Sequence, residues 1–178
     1  MGPTLETPRL ILRPPRLEDL DGWEELLGDE EAARFIGGVR ARADAWRAMM
    51  TMAGSWALKG FAMFSVIEKS SGRWIGRIGP WQPEGWPGTE VGWSLVRSAW
   101  GKGCAVESAT AAIDWAFEAL GWDEVVHVIA AENVRSQEVA KRLGSTNRGP
   151  TRMPEPFYEI EADLWGQSRE QWTARRQG

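Results

Sequence analysis

The sequence has one cysteine, one histidine and one tyrosine in 178 residues, and each scarcity removes a class of function. A single thiol, Cys104, excludes an internal disulfide, as expected for a reducing compartment such as the cytoplasm. One cysteine with one histidine, His127, cannot furnish the ligands of a structural zinc site, so no metal is expected. No apolar run approaches the length of a bilayer span, and the opening MGPTLETPRL has no apolar signal-peptide core. No membrane partner is expected. Neither sign of charge dominates: 21 Lys and Arg stand against 25 Asp and Glu, with no basic stripe to track nucleic acid. The mild acidity suits a cationic partner such as an amine. There is no internal repeat or low-complexity linker, and residues 1–178 read as one domain. Tryptophan, by contrast, is abundant at 12 residues, enough for a core, sheet faces and part of a pocket wall.

Periodicity gives a mixed α/β protein. Strands are expected at 9–13, 61–68, 74–79, 90–96, 124–130 and 157–165, with helices over 17–27, 42–58, 106–120, 134–143 and 168–175. Residues 81–88 and 148–156 read as loops. The strand–helix–strand unit from 90 to 130 is expected to be a right-handed parallel crossover.

The informative stretch is EVGWSLVRSAWGKGCAVESA, residues 90–109. Val91, Trp93 and Leu95 alternate with Glu90, Gly92 and Ser94 as in a strand. Small residues follow from Gly101 to Ala105, and helical spacing then begins. A helix opening behind two glycines aims unpaired N–H groups and partial positive charge at whatever lies above the turn, which favours a phosphate. Two other phosphate folds fit less well. In a dinucleotide fingerprint Gly101 and Gly103 would need a third glycine where Val106 stands, although Asp123 has the right spacing for a ribose contact. No Gly-Lys-Ser/Thr completes a Walker A loop. Cys104 with His127 could suggest a thiol nucleophile, but His127 falls inside a buried strand and reads as a core histidine.

These residues resemble the GNAT superfamily of acyl-CoA N-acyltransferases. The family's Q/R-x-x-G-x-G/A loop appears as Trp100-Gly101-Lys102-Gly103-Cys104-Ala105, with Trp100 replacing the leading Gln or Arg. Four segments resemble the branch of ribosomal-protein N-terminal acetyltransferases: TPRLILR from Thr7, the strand from Glu90 with WGKG and Glu107, ENVRS from Glu132, and Arg142-Leu143-Gly144. The resemblance implies a mostly antiparallel twisted sheet, helices on both faces, and a central parallel pair splayed to admit CoA.

It also implies acetyl-CoA as donor and a small-molecule amine or peptide N-terminus as acceptor. The pyrophosphate would take the amides of Gly101 to Ala105, with Lys102 or Arg97 adding charge at the rim. The pantetheine arm would pair with the backbone of Ser94, Leu95 and Val96. Glu90 stands where some members carry a general base; it also reads as an exposed strand-end carboxylate. The tyrosine many members use to protonate the thiolate is Ala140 here. Ser136 is the substitute donor the ribosomal branch suggests, or a helix residue bonded to its own backbone. Asn133 reads as a CoA contact or an N-cap. Tyr158 could replace the missing acid, or be a partly buried strand residue. Trp81, Trp86 and Phe35 are candidates for the acceptor wall. Trp93, by contrast, reads as core. A non-catalytic acyl-CoA sensor on the same fold is the alternative, and a homodimer is left open.

Overall fold

The computed structural model describes residues 2–155 and 157–177. Eight strands form one sheet in the order β1-β2-β3-β4-β5-β6-β8-β7. They are β1 (Leu5–Glu6), β2 (Leu10–Arg13), β3 (Phe64–Glu68), β4 (Trp74–Trp81), β5 (Glu90–Leu95), β6 (Glu124–Ala130), β7 (Thr146–Thr151) and β8 (Ala162–Ser168). The helices are α1 (Leu20–Gly28), α2 (Glu30–Ala33), α3 (Arg42–Lys59), α4 (Cys104–Ala119), α5 (Val134–Leu143) and α6 (Arg169–Gln177). Every neighbouring pair of strands is antiparallel except β5–β6. This is the mixed sheet with a central parallel pair that the sequence led us to expect.

Patterning explains the packing. Leu10 and Leu12 of β2, Phe64 and Val66 of β3, and Ile78 of β4 are fully buried. Against them lie Leu26 and Leu27 of α1, Met49 of α3, and Ala109, Ala112, Ile113 and Ala116 of α4. The small residues of α4 let its axis approach the sheet, and it lies across β4 and β5. Ser168 caps α6 through the Gln171 N–H, at 3.1 Å.

Two expectations fail at the C-terminal end. Residues 148–156 were expected as a loop, yet Thr146–Thr151 is an edge strand paired with β8. Its sequence, TNRGPT, lacks apolar alternation because it lies on the exposed rim, and a register shift between Asn147 and Pro150 accommodates the proline. The strand expected at 157–165 lies instead at Ala162–Ser168. Phe157, Tyr158 and Ile160 look strand-forming but sit in the β7–β8 connection. The remaining boundaries move by a few residues: α4 opens at Cys104 and β4 runs on to Trp81.

A buried polar node fixes the first strands under α1. Arg13 grips Asp19 with two bonds, 2.7 and 2.9 Å. Asp19 also accepts from Ser65 Oγ and the Arg16 N–H, and Ser65 accepts from Trp74 Nε1. Asp19→Ala takes the bidentate carboxylate from the buried Arg13, leaving it only the exposed Glu18 and the Pro14 carbonyl, and is expected to destabilise the fold by about 3 kcal/mol. The test is a lowered urea midpoint at unchanged slope.

Candidate active site

The parallel ladder between β5 and β6 stops almost as soon as it begins. Its one pair is Glu90 with Val126, supported by the Val126 N–H to the Thr89 carbonyl at 3.0 Å. In a continuing ladder the next bond would join the Val128 N–H to the Val91 carbonyl. Both groups are instead taken by side chains. Glu90 Oε1 accepts from the Val128 N–H at 3.2 Å, and His127 Nδ1 donates to the Val91 carbonyl at 2.6 Å. The strands are thereby held apart without leaving either backbone group unpaired.

Two connected cavities open from this gap, of about 630 Å³ on the α4 side and about 350 Å³ on the Glu90 side. They share Phe35, Ile36, Trp93, Ser94, Asn133 and Ser136. An arm entering through the first would therefore end where the second begins.

The larger cavity carries the glycine turn that opens α4. Gly101 and Gly103 adopt φ of 72° and 78°, a left-handed backbone that L side chains resist. None of the N–H groups of Gly101, Lys102, Gly103, Cys104 and Ala105 donates to an acceptor among the described residues. The turn is braced from below. Glu107, in the first turn of α4, accepts from Thr7 Oγ1 at 2.6 Å, the Arg9 N–H at 2.9 Å and Arg9 Nε at 2.6 Å. Arg9 also donates to the Lys102 carbonyl at 2.8 Å. Burial opposes ionisation of Glu107, but the bonds from Thr7 and Arg9 outweigh it and hold its pKa below the ordinary value. The TPRL segment is thus a strut for the turn.

Of the donor-side candidates, Ser94, Leu95, Trp100, Gly101, Gly103, Cys104, Ala105, Asn133 and Ser136 line the larger cavity. Three do not. Val96 is buried and its N–H donates to the Ile75 carbonyl, so its backbone faces β4 rather than the gap. By alternation the Ser94 backbone also turns to β4, leaving Trp93 and Leu95 on the open edge. Arg97 is paired with Asp29 at 2.7 Å, and Lys102 is exposed on the outside of the turn. Trp100 closes the bottom of the edge by donating Nε1–H to the Leu95 carbonyl at 2.8 Å. Arg135, which sequence reasoning missed, lies over the Trp100 ring at 4.4 Å.

At the junction Trp93 Nε1 donates to Ser136 Oγ at 3.2 Å, which leaves the serine O–H free to donate onward. Asn133 caps α5 through the Ser136 N–H at 3.1 Å while lining both cavities. Trp93 is only partly buried and lines both cavities as well, so it is wall as much as core.

The smaller cavity is lined by Phe35, Trp81, Trp86 and Glu90. Glu90 is not an exposed strand-end carboxylate: it is 6% exposed, and Trp86 Nε1 donates to Oε2. Burial raises its pKa to about 7, against the opposing pull of the Val128 and Trp86 N–H groups and the Arg77 charge. Arg77 and Arg40, also missed, line the same space. A signal for Arg77 exists: it is the one charged residue in the strand WIGRIGPW.

The other candidates resolve simply. His127 is buried, with burial lowering its pKa to about 4, and the neutral ring accepts at Nε2 from Ser145 at 2.9 Å. Cys104 is buried and burial raises its thiol pKa, which does not suit a nucleophile. Tyr158 is 55% exposed on a turn, not a partly buried strand residue. Among the described residues no cluster of His, Cys, Asp and Glu could hold a metal, and no helix is long and apolar enough to cross a membrane.

Residues 9–146 match the acetyltransferase (GNAT) domain family, and the chain belongs to it. An uncharacterised N-acetyltransferase of Bacillus licheniformis, p20, is 31% identical over 150 residues, 82% of this chain and 84% of that protein. An acetyltransferase from Agrobacterium tumefaciens superposes with a TM-score of 0.83 at 27% identity, covering 95% of this chain and 96% of that one. The aminoglycoside acetyltransferase AAC(6')-Ib, solved with coenzyme A, shares the fold at 18% identity and a TM-score of 0.74, over 94% and 99%. The protein is an acyltransferase of the N-acetyltransferase type.

Two predictions follow from the geometry. Glu107→Gln with Thr7→Val removes the strut, and is expected to weaken CoA binding about tenfold by calorimetry while the fold survives. The second concerns pH. His127 titrates in the folded protein at about 4, below its ordinary 6.5, so its contribution is complete above pH 6.5 and is lost as pH falls toward 4. Glu90 titrates at about 7, above its ordinary 4.5, so its contribution is complete below pH 4.5 and is lost as pH rises through 7. The slopes oppose each other between pH 4.5 and 6.5. In Glu90→Gln, stability to urea is expected to climb with pH across that window more steeply than in the parent.

Proposed function

We infer that residues 1–178 form one acyl-CoA N-acyltransferase domain that passes an acetyl group directly from acetyl-CoA to a primary amine. The observation that carries this reading is the side-chain wedge of Glu90 and His127, which opens one cavity toward a bonded turn of free amides and another toward a buried base. The donor fits the residues present. The amides of Gly101 to Ala105 suit a diphosphate, and the open edge at Trp93 and Leu95 suits an extended arm with amide groups. The family and the coenzyme A bound to AAC(6')-Ib support the same assignment. Bound acetyl-CoA supplies a thioester whose C–S bond breaks as the amine nitrogen forms the new C–N bond.

Glu90 receives the proton the amine must lose, directly or through water, because only the neutral amine has a lone pair to attack. A carboxylate that titrates near 7 accepts that proton better than an ordinary one. Ser136 donates a hydrogen bond that stabilises the departing thiolate: its oxygen is held by Trp93 Nε1–H, and its own hydrogen is free. It stands in for the tyrosine that Ala140 replaces, since Ala140 is fully buried and offers no donor. Phe35, Trp81 and Trp86 enclose the amine and exclude bulk water. The acid–base pair argues for an enzyme over a passive sensor of the acyl-CoA.

Thiol release from acetyl-CoA across a panel of primary amines tests the reading; binding without turnover by any amine overturns it. Glu90→Gln is expected to lower kcat/KM by about a hundredfold and to abolish the limb of the pH profile that rises through about pH 7. Ser136→Ala is expected to lower kcat about tenfold with CoA affinity nearly unchanged.

A further inference from the structure

Many arginines of this protein are matched to a carboxylate: Arg9 to Glu107, Arg13 to Asp19, Arg42 to Asp21 and Glu24, Arg97 to Asp29. Arg77 and Arg40 are exceptions, and both line the cavity that holds Glu90. Neither guanidinium has a carboxylate or carbonyl partner among the described residues, and the buried Arg77 Nε bonds to nothing. Arg77 has only the face of Trp23, 5.0 Å away. Arg40 lies over Gly37, where any side chain would collide with its guanidinium.

Arg77 and Arg40 are half-buried, and a guanidinium whose Nε is shut off from solvent with no anion beside it is costly, the more so with a second positive charge across the same cavity. Burial and the Arg40 charge together lower the Arg77 pKa to about 10, while Glu90 pulls the other way. Glu90 makes no hydrogen bond to either guanidinium; its oxygens take the Val128 and Trp86 N–H groups. Arg77 pairs across the strands with Ser94, and Trp81 with Glu90. Strand alternation therefore puts Arg77 and Glu90 on one face of the sheet, four residues apart in register. The cavity thus carries two guanidiniums and a carboxyl as well as apolar walls, Met52 and Met63 among them. Phe157 and Ile160 of the β7–β8 connection help to enclose it, and about 350 Å³ suits a small molecule.

We propose that the acceptor is a small amine bearing a carboxylate, whose anionic end pairs with Arg77 and Arg40 while its nitrogen lies at Glu90. This rests on the acetyl-transfer reading above and adds the substrate class. Two guanidiniums facing one space present the fork geometry that a carboxylate matches.

The test compares matched acceptors in the thiol-release assay: L-phenylalanine against L-phenylalaninamide, and 6-aminohexanoate against hexylamine. The carboxylate of at least one pair is expected to show a KM about tenfold lower than its uncharged match. Arg77→Met is expected to abolish that preference, and Arg77→Lys to restore part of it. The melting temperature of Arg77→Met should not fall, because the substitution removes a half-buried cation that has no anionic partner. Calorimetry with the same carboxylates on the CoA-saturated protein gives a readout that needs no turnover. Thiol release without any carboxylate preference overturns the proposal and leaves acetyl transfer standing. If no amine is turned over, the proposed function falls; carboxylate binding that Arg77→Met weakens still supports the anion site, and no binding to the parent overturns it.

Discussion

The site exists because one backbone hydrogen bond is not made. The Val128 N–H and the Val91 carbonyl are the natural partners in the parallel ladder, and Glu90 and His127 each take one of them. Simple separation of two central strands would expose unpaired backbone groups inside the protein, at a cost of roughly 1–3 kcal/mol each. The two side chains remove that cost and hold the strands apart. His127 is held in turn: Ser145 donates to its second nitrogen, and Gln167 donates to Ser145 at 3.0 Å and to the Leu143 carbonyl at 3.1 Å. The wedge is therefore anchored in β8, which pairs with β6 on the side away from the gap, and at the end of α5. Neutrality is part of the design, since a charged imidazole would repel the very donor that fixes its tautomer.

The two cavities are built by different means. The larger one presents mostly main chain: free amides in a glycine turn and the strand edge at Trp93. The side chains there work as supports, with Glu107 and Arg9 holding the turn and Trp100 covering the Leu95 carbonyl. The smaller one presents side chains: a buried carboxyl, two unmatched guanidiniums and a set of aromatic walls. Ser136, Asn133 and Trp93 sit where the two meet.

Much of this was legible in the residues. The alternation from Glu90 to Leu95 and the glycines at 101 and 103 located the strand, the turn and the helix behind it, and the TPRL and ENVRS segments fell where a supporting role needed them. What was hidden was hidden for physical reasons. TNRGPT gives no strand signal because an exposed edge strand has no buried face to encode. Phe157 and Ile160 carry strand-like residues because they wall a cavity, and apolar residues serve either purpose. The two roles of the Ser94–Val96 backbone are separated only by register, which one sequence does not specify. Arg97 looked like a phosphate ligand until Asp29, distant in sequence, came to rest beside it. His127 read correctly as buried and satisfied, but its use as a spacer depends on a bond that is absent from the ladder.

A cradle of peptide N–H groups is spelled by almost any sequence that can trace the same path. A changed side chain there leaves the directions of those N–H groups as they were, provided the two left-handed glycines and their brace persist. Such construction gives the turn latitude that the walls around Glu90 lack, since there the side chains themselves are the surface of the cavity.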